Sequence, residues 1–244
     1  MRVIFLDLDR TLIGEDYSPE PAGHIVDWLK NKGFEIIFNS SKTRAEQEYY
    51  RKALDIEAPF IVENGSAVYI PEDYFDFEIP GLMRDSYIVV ELGERYAVIK
   101  SALDAISDEF GLKYYGNSTL EEVVGFTGLP ERLAMLAMRR EYSETVFLWK
   151  KEGFAERLKN LKVSRGSRFF SVHGDTDKGK AARVLLSLYR RLGNVESYAV
   201  GDAPNDIPLL NAVDHPYIMG TLTHPGGKNI KNIKSIEELK EVIL

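Results

Sequence analysis

The opening of the chain restricts it most. Val3-Ile4-Phe5-Leu6 is a continuous apolar run that passes straight into Asp7-Leu8-Asp9. Apolar side chains at successive positions cover both faces of a strand, which suits the centre of a parallel sheet under helices. In open α/β sheets ligands gather at the carboxyl ends of such strands. Asp7 and Asp9 are two apart and share a face if the strand continues. Carboxylates that close raise one another's pKa unless a proton is shared or a cation lies between them. The pair therefore implies one or the other, with a metal the favoured expectation. The rival reading is a solvated strand end.

Composition narrows the classes. A chain of 244 residues has room for one large domain or two unequal ones, and 44% hydrophobic with 28% charged residues is ordinary for a globular protein. The 31 basic and 38 acidic residues leave a net charge of -7, which argues against a general nucleic-acid binder or an anionic membrane surface. Without cysteine, disulfides, thiolate catalysis and zinc-cysteine sites are excluded. No apolar run approaches the roughly 20 residues that span a bilayer. The amino terminus enters a strand with no signal-peptide pattern, so the cytoplasm is the expected location.

Strand and helix patterns alternate along both ends of the chain. Ala22, Ile25, Val26 and Leu29 follow helical spacing up to Gly33. Phe34 to Phe38 reads as a strand, Thr43 with Glu46 as a capping box opening a helix toward Leu54, and Phe60 to Val62 as a third strand. This alternation predicts a parallel sheet with right-handed crossovers. Glu63-Asn64-Gly65 predicts a turn, and Ala67 to Ile70 a short strand. From residue 83 to 170 the pattern becomes α+β: strands at Tyr87 to Leu92, near Tyr114 and at Thr145 to Trp149, and a helix from Tyr96 to Phe110. A capping box at Ser118 and Glu121, a helix opened by Pro130 and a short helix around 154–161 complete it. Alternation returns with a helix from Lys178, strands at 198–200 and 217–219, a Gly-rich loop at Gly226 and Gly227, and a last helix capped by Ser235 and Glu238.

Four stretches then fall at strand ends or a helix start: Asp7 with Asp9, Ser40, Lys178, and Asp202 with Asn205 and Asp206. Asp7, Asp9 and Asp202 offer hard oxygens suited to Mg²⁺, which takes a few carboxylates and leaves other positions to water and phosphate. Ser40 and Lys178 offer the hydroxyl and fixed cation that a phosphoryl group needs as charge builds on it, and a carboxylate can serve as nucleophile. The parts make a phosphoryl-transfer site. Lys178 opposes the dipole of the helix it opens, which favours function over structure. Taken singly, Ser40 reads as a turn residue, Asp206 as an early-turn helix acid and Asn205 as its cap. His24, His173, His215 and His224 share no metal spacing and read as structural.

On those residues the chain resembles the haloacid dehalogenase superfamily of phosphohydrolases, whose four motifs match Asp7-Leu8-Asp9-Arg10-Thr11, Ser40, Lys178-Gly179 and Gly201-Asp202-Ala203-Pro204-Asn205-Asp206 in order. The resemblance implies a Rossmann-like α/β core of residues 1–82 and 171–244, with an inserted α+β cap of the type-two kind over 83–170. It implies Asp7 as nucleophile, Asp9 as general acid and base, and magnesium held by Asp7, the backbone carbonyl of Asp9, and Asp202, with Asn205 and Asp206 supporting metal or phosphate. Arg10 departs from the pattern, where a small residue, usually Gly, is the rule.

Within the superfamily, Asn39-Ser40-Ser41-Lys42-Thr43-Arg44-Ala45-Glu46, Thr127-Gly128-Leu129-Pro130, Arg139-Arg140-Glu141-Tyr142-Ser143-Glu144 and Arg168-Phe169-Phe170 are similar to the mannosyl-3-phosphoglycerate phosphatases. That resemblance implies a phosphorylated sugar-acid substrate, a carboxylate of which needs its own cation. Arg139, Arg140, Arg165 and Arg168 are the cap candidates, with Arg168 expected to make the contact and Arg165 to stay solvated. The rivals are a phosphatase of other specificity, a phosphotransferase or phosphomutase working through the same aspartyl phosphate, a receiver-like signalling domain, and a non-catalytic phosphosugar binder.

Overall fold

The structure, a computed structural model, describes residues 1–165, 168–220 and 229–243. The Gly226 and Gly227 loop expected from the sequence lies outside the described residues, as do Gly166 and Ser167.

In chain order the elements are β1 (Arg2–Leu6), α1 (Gly23–Asn31), β2 (Phe34–Phe38), α2 (Arg44–Ala53), β3 (Phe60–Val62), β4 (Ala67–Pro71), β5 (Leu82–Arg84) and β6 (Tyr87–Glu91). There follow α3 (Tyr96–Phe110), β7 (Lys113–Tyr114), α4 (Leu120–Thr127), α5 (Glu131–Ala137), β8 (Ser143–Leu148), β9 (Lys162–Arg165) and β10 (Phe170–His173). The chain closes with α6 (Lys178–Tyr189), β11 (Glu196–Gly201), α7 (Ile207–Leu210), β12 (His215–Met219), β13 (Lys231–Ile233) and α8 (Leu239–Val242).

The central sheet has the order β13-β12-β11-β1-β2 and is parallel throughout. β1, flanked by β11 and β2, buries both faces as the apolar run requires. Ile4 and Leu6 pack with Ile25, Val26 and Leu29 of α1, while Val3 and Phe5 pack with Ala181, Leu185 and Leu186 of α6 and Leu209 of α7. Each such burial contributes about 1.5 to 3 kcal/mol, and together they hold the end of β1 in place. The capping box of Thr43 and Glu46 forms as expected and fixes the start of α2.

The third strand behaves differently from the expectation. One parallel bridge, Asn39 to Ile61, links β3 to the end of β2, and β3 otherwise pairs antiparallel with β4 in a second sheet of order β3-β4-β6-β5. The division expected at residue 82 therefore passes through paired strands, because β5 and β6 are hydrogen-bonded into the sheet that β3 and β4 begin. The same holds at residue 171. β10 pairs antiparallel with β8 and β9 in a third sheet of order β7-β8-β10-β9, so the inserted unit keeps the chain to His173.

That unit carries one helical layer on each face of its sheet. Ile99, Leu103 and Phe110 of α3 pack with Val146 and Val172 on one face, and Val123 of α4 and Leu133 and Ala134 of α5 pack with Phe147 on the other. Tyr17 and Tyr49, from outside the insert, join the second cluster. Three local expectations shift. The capping box sits at Thr119 and Glu122, one residue along, because Ser118 still closes the preceding 3-10 turn. The helix expected over 154–161 is a single 3-10 turn at Ala155–Arg157 followed by β9. Ser235 makes no side-chain cap; a 3-10 turn at Ile236–Glu238 leads into α8 instead.

Candidate active site

The ladder between β1 and β11 continues one residue past β1, where Asp7 N donates to Val200 O at 3.1 Å. Asp7 is thereby held at the carboxyl edge of the sheet, opposite the end of β11. Lys178, first residue of α6, is 1% exposed and donates from Nζ to Asp7 Oδ1 at 2.7 Å and to Asp206 Oδ1 at 2.5 Å. The cation that opposes its own helix dipole is thus balanced by two carboxylates. Burial works against its charge, and Asp206 and Asp7 more than offset that and hold its pKa above the ordinary value.

Asp206 is fully buried and accepts from Asp202 N at 3.1 Å and Ala203 N at 3.0 Å. This turn aims Asp202 at the same place. Asp7, Asp202 and Asp206 each bring one carboxylate oxygen within 4.8 Å of the others. Three hard oxygens so close fit an oxygen-liganded divalent cation. Burial pushes Asp7 up to about 7, with Lys178 pulling it down and Asp206 adding to the rise. Burial and then Asp206 raise Asp202 as well, while Lys178 and Arg10 pull it back.

Close approach positions the lysine. Gly179 packs so tightly on α7 that a Cβ there would lie 2.1 Å from Pro208 O. On the other side Glu63, Asn64 and Gly65 form three consecutive left-handed residues with φ of 48, 60 and 87°, and a Cβ on Gly65 would lie 2.2 Å from Asp177 O. Asn39 Nδ2 donates to the Lys178 carbonyl at 3.0 Å. Ser40 is buried at the end of β2, its N donating to Ile61 O and its carbonyl accepting from Asn64 N.

The sequence profile of the haloacid dehalogenase-like hydrolases matches residues 4–79 and 135–234, which include every one of these side chains. The chain belongs to that family. It is 58% identical over 238 residues, 97% of this chain and 98% of the relative, to the mannosyl-3-phosphoglycerate phosphatase of Pyrococcus furiosus. With that of Pyrococcus horikoshii it shares 55% over 245 residues, 100% of this chain and 99% of the relative. A crystal structure of a haloacid dehalogenase-like hydrolase from Bacteroides thetaiotaomicron matches with a TM-score of 0.69 at 16% identity, covering 100% of this chain and 99% of that one, a likeness of fold.

The haloacid dehalogenase site thus brings Asp7, Lys178, Asp202 and Asp206 into direct reach. Asn205 stands beside them, its Nδ2 donating to Asn64 Oδ1 at 3.1 Å. Asp9 pairs with a residue that motif reading passes over. Lys42, 5% exposed, lies 2.8 Å from Asp9 Oδ1 and 3.4 Å from Glu46 Oε1. Burial opposes its charge, but Asp9 and Glu46 hold its pKa well above the ordinary value. The available signal was a lysine between Ser40 and the capping Thr43, in a stretch already tied to the site.

The expected cap arginines separate. Arg168 Nη1 donates to Thr127 O at 3.0 Å and Nη2 to Phe126 O at 2.7 Å, which ties the exposed side chain to the last turn of α4. Arg165 is exposed and lies over the Phe170 ring. Arg140, buried, donates to Ser41 O at 3.0 Å and stands 3.6 Å from Glu63. Thr43 Oγ1 donates to Leu136 O at 3.0 Å, which seats α5 on the start of α2.

Proposed function

We propose that this chain hydrolyses the phosphomonoester of mannosyl-3-phosphoglycerate, releasing mannosylglycerate and inorganic phosphate. In this reading an oxygen of the Asp7 carboxylate attacks phosphorus, the bond from phosphorus to the glycerate oxygen breaks, and Asp9 gives that oxygen a proton. Asp9 then takes a proton from water, whose oxygen attacks the same phosphorus and frees Asp7 and phosphate. Lys178, set between Asp7 and Asp206, neutralises charge on the transferring group, and the Ser40 hydroxyl donates to one of its oxygens. Asp7 and Asp202, with Asp206 beside them, would hold Mg²⁺, whose charge when bound offsets the repulsion between a carboxylate and a phosphate dianion.

The observation that carries the substrate is the identity to the two Pyrococcus enzymes, which spans the insert as well as the core. In our reading the insert covers the site as a cap, the chain crossing between the two near residues 92–95 and 174–177, and holds the sugar and acid portions. The substrate in this reading is a small cytoplasmic molecule. No described helix is long and apolar enough to cross a membrane.

The test is phosphate release from a panel of phosphosugars and sugar-phosphoglycerate conjugates, with Mg²⁺ and after exhaustive chelation. Mannosyl-3-phosphoglycerate should lead the panel, and chelation should silence it. A simple hexose phosphate cleaved as efficiently would sink the substrate reading. Acceptor sugars in the same panel expose a phosphotransferase, which would give phosphorylated acceptor in place of free phosphate.

A further inference from the structure

The proposed substrate carries a carboxylate beside its phosphate, and any role for a cation that receives it rests on that substrate reading. Most cations near the site are already engaged. Lys178 lies between Asp7 and Asp206, Lys42 between Asp9 and Glu46, Arg140 against Glu63 and the Ser41 carbonyl, and Arg168 on two carbonyls of α4.

Arg10 differs. It follows Asp9 directly, is exposed, and its guanidinium has no hydrogen bond or ion pair among the described residues. Its backbone is left-handed, with φ of 61°, a region that suits glycine and strains other residues. The turn imposes this conformation: Arg10 N donates to Ile13 O at 2.8 Å, and Leu12 N and Ile13 N both donate to Leu8 O, at 3.0 and 2.8 Å. A backbone outlier that persists beside reactive groups is the kind of observation from which a role is argued. Exposed and directly after Asp9, it presents open donors beside the residue proposed to protonate the leaving oxygen.

We propose that Arg10 binds the carboxylate of the substrate's acid portion and so sets the preference for a phosphorylated acid over a neutral phosphomonoester. A guanidinium pairs with a carboxylate through two parallel hydrogen bonds, which gives direction as well as attraction.

The experiment compares the parent with Arg10→Gly and Arg10→Lys in the full chain. It measures kcat/KM on mannosyl-3-phosphoglycerate and on p-nitrophenyl phosphate, inhibition by mannosylglycerate, and the melting temperature. Arg10→Gly should lower the ratio of the two kcat/KM values roughly tenfold to a hundredfold, the range of one charge-assisted contact. The change should lie mainly in KM, and mannosylglycerate should inhibit correspondingly less. Arg10→Lys should recover part of the ratio. Melting should come no earlier in Arg10→Gly, since glycine relieves the left-handed backbone. An unchanged ratio, or equal losses on both substrates, overturns the proposal. So does loss of preference in Arg139→Ala with preference kept in Arg10→Gly, Arg139 being an exposed arginine just after α5 that also lacks a side-chain partner among the described residues. A parent with no preference for the carboxylate-bearing substrate overturns the substrate reading along with it.

Discussion

Lys42 holds its ammonium 2.8 Å from the Asp9 carboxylate although its own side chain is almost entirely buried. Glu46, on its other side at 3.4 Å, also accepts from Thr43 N at the start of α2. The side chain proposed to move protons is therefore aimed by a cation that is itself anchored to a helix start. Misaiming a reacting group by about 1 Å can cost on the order of a hundredfold.

Lys42→Met should accordingly lower kcat roughly tenfold to a hundredfold with a smaller change in KM. The loss should be larger for alkyl phosphates, whose leaving oxygen needs a proton, than for p-nitrophenyl phosphate, whose does not. Lys42→Arg should restore part of it. The same loss on both substrates would reduce Lys42 to a structural residue.

Asp7→Asn should abolish turnover and leave the protein folded, since Lys178 keeps Asp206 as a partner. Phosphate release alongside a thermal melt checks both halves. Activity within about tenfold of the parent, near 1.4 kcal/mol in barrier, would be incompatible with Asp7 as nucleophile.

Glu63→Ala should cost about 3 to 5 kcal/mol, the usual result of removing one partner from a buried ion pair. It would leave Arg140 unpaired, together with the three donors now on that carboxylate: Glu141 N, Tyr142 N and Ser143 Oγ. Urea denaturation measures it. A change within about 0.5 kcal/mol, ordinary for a surface substitution, would show that the contact carries no stability.

His173 sits at the end of β10 with Nδ1 on Gly174 O at 2.9 Å, and burial holds its pKa below the ordinary 6.5. A histidine depressed in the folded state binds its proton more readily when unfolded, so its contribution is complete above pH 6.5 and is lost as pH falls through the folded value. The melting temperature of the parent should therefore drop below that pH more steeply than that of His173→Gln. A difference between the two that does not vary with pH would refute this.

Much of the site is legible in the sequence because local patterns carry it. The strand of Val3 to Leu6 announces itself by apolar continuity, the start of α2 by Thr43 and Glu46, and Lys178 by its wrong polarity at a helix start. Long-range pairing is where legibility stops. Lys42 meets Asp9 across 33 residues of chain, as Arg168 meets Phe126 across 42. Nothing in either neighbourhood names the partner. Strand membership fails for the same reason: Tyr87 to Leu92 reads as a strand, but only its hydrogen bonds to β4 show that it continues the sheet before the insert. Short edge strands such as β9 and β13 carry too little apolar pattern to be seen.

The left-handed loop at Glu63 to Gly65 faces three ways at once. Glu63 receives the backbone of 141 and 142, Asn64 receives Asn205 and donates to Ser171, and Gly65 presses on Asp177 while its carbonyl accepts from Thr176. A substitution at Gly65 would disturb the seat of Lys178, the Asn205 turn and the docking of the insert together, and three distant stretches would have to change in step to repair it. Such a position should resist evolutionary drift even though it touches no substrate.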